Sequence, residues 1–128
     1  MELGLAFRLA ELDGPGHLWV VASDPLAPEG AAIFSITTLR NTVLDRTCII
    51  HASEHPFVHH ESVVAYGRGK VLTPVAFKGL RDMGCCQVQP TFKPHLLARV
   101  QRGALESDFT PERLQHLVQA TLDGRPQV

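Results

Sequence analysis

Apolar residues change their period once along the chain, at Pro74. Before it they come in short runs, β-branched or aromatic, broken by Gly, Pro, Asn and Asp; after it they recur at helical spacing. Leu5, Phe7 and Leu9 alternate with Ala6, Arg8 and Ala10, the period of a half-buried strand, and Asp13-Gly14-Pro15-Gly16 ends it as a turn. Leu18 to Ala22 is continuously apolar, as in a strand covered on both faces. A loop with Pro25 and Pro28 follows, then a strand from Ala31 to Thr38 and a short one from Thr47 to His51. Ser62–Tyr66 and Lys70–Leu72 make one long strand or two, with Gly67 and Gly69 marking a bulge or corner.

Pro74 opens a short helix through Met83, with Gly84 just past its end. Cys86-Gln87-Val88 reads as one more strand. Pro94 opens a second helix whose apolar positions are Leu96, Leu97, Val100 and Ala104. A third has Thr110 as N-cap, Pro111 at its first position, a stripe of Leu114, Leu117, Val118 and Leu122, and Gly124 at its end. The pattern predicts a mainly β or α+β chain forming a single domain over residues 1–128. It also predicts a small antiparallel barrel over residues 1–73, which would leave no exposed edge, and a mostly helical extension of two or three helices over residues 74–128.

Composition narrows the classes. At 128 residues with 45% hydrophobic and 20% charged residues, the chain is of one-domain size and needs no metal or disulfide to fold. Three cysteines, two of them adjacent, form neither a disulfide framework nor a CxxC site and fit a reducing cytoplasm. The start of the chain lacks the features of a signal peptide, and no apolar run approaches a membrane span, so no membrane partner is expected. The net charge of −1 hides an asymmetry. Residues 1–64 hold three arginines against eight carboxylates, whereas residues 65–102 hold seven basic residues against Asp82 alone. Such a block suits a phosphate backbone or an acidic partner if the fold gathers it, and solvated faces if it does not.

Seven histidines are many for this length, and His51, His55, His59 and His60 fall within ten residues. The i, i+4, i+8 spacing of His51, His55 and His59 would align them on a helix, but Pro56 lies inside the window and the flanks are strand-like, so neither a metal nor any other cofactor is expected. Unliganded imidazoles offer acid–base chemistry, because a ring titrating near pH 6.5 can take one proton while a second gives one. Cleavage of RNA by its own 2′-hydroxyl needs such a pair, with a cation or hydroxyl donor on the phosphate. His17, His59, His60 and Thr37 are the candidate catalytic residues, and Thr38, Arg40, Ser62, Tyr66, Arg68 and Lys70 the candidate substrate-binding ones. Trp19, inside an apolar strand, reads as core, whereas Tyr66 beside Gly67-Arg68-Gly69 reads as the aromatic more open to a base.

The order of segments resembles the PemK/MazF-like growth-inhibitor toxins. The matching residues are Pro15-Gly16-His17-Leu18-Trp19-Val20-Val21-Ala22-Ser23, a strand closing on paired threonines (Ile33 to Thr38), Cys48-Ile49-Ile50-His51, and Ser62 to Leu72. Over residues 1–72 the resemblance implies an SH3-like barrel and a metal-independent endoribonuclease that cuts single-stranded RNA, forms a homodimer and is silenced by an antitoxin protein. It also implies that Thr37 or Thr38 holds the scissile phosphate. Those toxins carry an arginine before the second strand, where this chain has His17. The alternative is a non-catalytic interaction module on the same barrel, binding a partner protein or nucleic acid.

Overall fold

A computed structural model describes residues 1–10 and 16–124. The turn expected at Asp13-Gly14-Pro15 therefore lies outside the described residues. Among the described residues, six strands and three helices follow in order: β1 Ala6–Leu9, β2 Leu18–Val21, β3 Ala31–Thr38, β4 Ile49–Ile50, β5 Ser62–Leu72, α1 Pro74–Asp82, β6 Cys86–Gln89, α2 Pro94–Glu106 and α3 Glu112–Asp123.

The strands form one antiparallel sheet in the order β4-β5-β3-β2-β1-β6. Alternation along the strands divides its side chains between two cores. One face carries Ala6, Leu18, Val20, Phe34, Ile36, Val64 and Tyr66, covered by Leu96, Val100, Leu117 and Val118 of α2 and α3. The other carries Phe7, Trp19, Val21, Ile33 and Leu72, covered by Phe77 of α1. Phe77 stacks on Phe7 with centroids 5.4 Å apart, an arrangement worth about 0.5–1.5 kcal/mol beyond its burial.

The fold is thus α+β, but the expected closed barrel does not form. The sheet is open, with β4 and β6 as its edges. The helices supply the reason: the face a barrel would bury against itself is filled by the apolar stripes of α2 and α3. Residues 62–72 form one strand, and the register jumps from Ile33 opposite Lys70 to Ser35 opposite Ala65. That irregularity frees Gly69 from the ladder at the point where a Cβ would lie 2.5 Å from Leu114 and 2.6 Å from Phe34. Gly84 lies just past α1 with φ +76°, the left-handed conformation its place in the sequence requires. Thr110 does not cap α3: Pro111 is the N-cap and the Thr110 hydroxyl is buried without a hydrogen bond.

No helix among the described residues is long and apolar enough to cross a membrane.

Candidate functional site

The start of β2, the end of β3 and the loop before β5 meet at one end of the sheet. Antiparallel register brings this about: Leu18 lies opposite Ile36, so His17 and Thr37 fall beside that pair, and Thr38 lies opposite Ser62. A cleft of about 410 Å³ opens there, lined by His17, Thr37, Thr38, Arg40, His59, His60 and Ser62. All four candidate catalytic residues therefore border one space. Arg8 joins them from β1, and no carboxylate lines the cleft among the described residues.

The loop from His51 to His60 is rigidly built. Glu54 accepts from the His51 backbone N–H at 2.7 Å and pairs with Arg99, whose guanidinium also donates to the Ile49 carbonyl. Hydrogen bonding to Arg99 is the main reason the Glu54 carboxyl sits below its usual range. His55 is buried at 2% exposure; its Nδ1 accepts from the Phe57 N–H at 3.0 Å, and its Nε2–H donates to the Pro90 carbonyl. Burial pushes its pKa below the ordinary 6.5, so the ring is a neutral structural pin. This arrangement leaves Phe57, Val58, His59 and His60 facing the cleft.

The histidine group is thereby divided. His51 faces away and pairs with Glu61 at 2.8 Å, His55 is interior, and only His59 and His60 reach the cleft. No group of three or more His, Cys, Asp or Glu positioned to hold a metal occurs among the described residues.

Four candidate binding residues, Tyr66, Lys70, Arg68 and Ser62, fall outside the cleft or are already engaged. Tyr66 is not exposed: it has no accessible surface, and its hydroxyl donates to the Val100 carbonyl at 2.7 Å, so it is a core residue and not a base-stacking platform. Gly69 makes room for Leu114 and Phe34 instead of exposing the ring. Lys70 stands over the Trp19 ring, 5.7 Å from its centroid, outside the cleft. Ser62 borders the cleft with its hydroxyl donating to the His60 carbonyl at 2.8 Å, which orients the turn beneath His59 and His60. The basic block of residues 65–102 is dispersed: Lys78 pairs with Asp82, Arg99 with Glu54, and Arg81 lies over Phe77. Arg68 lines an adjoining cavity that shares His17, Thr37, Thr38 and Arg40 with the cleft.

Arg8 is the cleft residue that sequence reading missed. Its alternation with Phe7 and Leu9 marked it as the outer face of a strand, yet its guanidinium lies 5.0 Å from the Phe57 centroid and its Nε is buried with no hydrogen bond among the described residues. Burial pushes the Cys48 thiol up, which keeps it protonated and unsuited to nucleophilic work. The chain matches no family model, no curated protein and no solved structure.

Proposed function

We propose that the cleft binds single-stranded RNA and cleaves it without a metal, as an endoribonuclease of the toxin–antitoxin kind. One observation carries the reading. Imidazoles from two distant parts of the chain, His17 and the His59-His60 pair, border one space with Arg8, Arg40, Thr37 and Thr38, and no carboxylate opposes them among the described residues. A phosphodiester is an anion, and the polar part of this lining is made of arginines, hydroxyl donors and imidazoles.

In the proposed step the 2′-oxygen attacks phosphorus and the P–O5′ bond breaks. An imidazole on one side of the cleft takes the 2′-hydroxyl proton, and an imidazolium on the other gives a proton to the departing 5′-oxygen. The products are a 2′,3′-cyclic phosphate and a 5′-hydroxyl. Arg8 and Arg40 hold the non-bridging oxygens and offset the charge that grows on them, with Thr37 and Thr38 donating from the strand end. The resemblance to the growth-inhibitor toxins adds a homodimer, an antitoxin partner and a cytoplasmic site of action, which three unpaired thiols suit.

The test is a mixed-sequence RNA incubated with purified protein in EDTA, beside His17→Ala, His59→Ala and His60→Ala. Cleavage leaving cyclic phosphate ends is expected, falling about 100-fold or more when an essential imidazole is removed. Intact RNA, or cutting at equal rates by wild type and all three variants, overturns the reading; tight RNA binding without cleavage favours an interaction module.

A further inference from the structure

The adjoining cavity differs chemically from the cleft it opens into. It holds about 480 Å³ and is lined by Ser35, Val43, Leu44, Asp45, Val63, Ala65, Arg68 and Phe109 besides the four shared residues. Ser35 and Thr37 lie opposite Ala65 and Val63, so these four side chains share one face of the sheet and make a small-residue floor. Above it stand two apolar side chains that the core does not claim, Phe109 at 51% and Leu44 at 83% exposure. Asp45 is its one carboxylate among the described residues.

The walls are fixed. The Ser107 hydroxyl donates to Asp45 at 2.7 Å and accepts from the Phe109 N–H at 3.1 Å, tying the turn that carries Phe109 to the loop that carries Asp45. Asp45 also accepts from the Thr47 hydroxyl and backbone N–H. Arg40 and Arg68 also stand in its lining, whereas at the Asp45 end a flat heterocycle with ring or amino N–H groups meets an aromatic face, aliphatic contacts and an acceptor.

We infer that this cavity is a nucleobase subsite, which takes the base of the nucleotide next to the phosphate held in the imidazole cleft. The inference rests on the nucleic-acid reading of the cleft, because the shared residues His17, Thr37, Thr38 and Arg40 are where base and phosphate would join. Substrate polarity follows: phosphate lies toward Arg8, His59 and His60, and the base lies toward Phe109 and Asp45. Sequence preference in cutting then originates at this cavity and not at the histidines.

The test uses an uncleavable dinucleotide with 2′-deoxyribose at the scissile position, and its two abasic analogues, titrated by NMR into wild type and Phe109→Ala. Phe109 is half exposed, so the variant is expected to melt with the wild type. Removing the base that enters the cavity should weaken binding about tenfold, and Phe109→Ala should weaken the full dinucleotide about as much while leaving that abasic analogue unchanged. Equal affinity of Phe109→Ala and wild type for the dinucleotide, or equal weakening of all three ligands, overturns the subsite. A nucleoside monophosphate separates the sources of the base: weaker binding than the dinucleotide supports an RNA segment, and equal binding overturns that assignment. Since the ligand cannot be cut, a protein that binds it through Phe109 yet leaves RNA intact retains the subsite and loses the nuclease. One that cuts RNA but ignores Phe109 does the reverse.

Discussion

Protonation of His55 should unlock the loop that presents His59 and His60. Both ring nitrogens are engaged, one accepting from the Phe57 N–H and one donating to the Pro90 carbonyl, and the ring is 2% exposed. A proton on Nδ1 would set two N–H groups against each other and place a charge in the core. The folded pKa is lowered from 6.5, so the unfolded chain binds the proton first as pH falls. The stability His55 contributes is therefore fully present above pH 6.5 and is lost as pH falls from there toward the folded value, at up to about 1.4 kcal/mol per pH unit. His55→Gln keeps a donor for Pro90 and does not titrate. At pH 7.5 it should be less stable by about 1–3 kcal/mol, for the unmatched Phe57 N–H. Urea unfolding of both proteins from pH 7.5 to 5 should show the gap closing as the wild type loses its advantage. Parallel curves, with the gap constant across that range, refute the neutral buried pin. The Glu54 carboxylate acts in a lower window: its pKa is lowered, so its contribution holds above about pH 4.5 and is lost as pH falls through the folded value.

Gly103→Ala should destabilise although alanine favours helices. Its Cβ would fall 2.1 Å from the Tyr66 hydroxyl and 3.1 Å from the Cys48 Cβ, and overpacking of about 1–3 kcal/mol plus a disturbed Tyr66–Val100 bond outweighs the gain of about 1 kcal/mol in propensity. Urea unfolding checks it, and in a Tyr66→Phe background the cost of Gly103→Ala should shrink, because the closest clashing atom is gone. Arg8→Ala should reduce RNA affinity about tenfold or more and flatten its salt dependence, as measured by binding titrations at two salt concentrations. Unchanged affinity would remove Arg8 from the site.

Much of the fold was legible because its signals are local. Continuous apolarity from Leu18 to Ala22 marked a strand buried on both faces, and β2 is buried throughout. The stripe of Leu114, Leu117 and Val118 marked the buried side of α3, and Pro94 marked the start of α2. Barrel closure was not legible, since it turns on whether β4 and β6 find each other or whether helices occupy the concave face, and no short window holds that choice. Tyr66 was misplaced for a related reason. Glycines beside an aromatic read as an exposed turn, but here Gly69 of β5 admits Phe34 of β3 and Leu114 of α3 in a bulge whose register depends on residues some 30 positions away.

The chain by itself determined its elements, its α+β class and the residue types able to do acid–base chemistry, since periodicity and side-chain chemistry are carried by neighbouring positions. Tertiary structure alone decided which imidazoles share a space. Strand register and the buried His55 turned His59 and His60 toward His17 while sending His51 outward, and it brought in Arg8 from a strand whose sequence gave no hint of it. The physical reason is that a site depends on non-local pairing, and pairing is settled by how two cores fill, not by any stretch of sequence read alone.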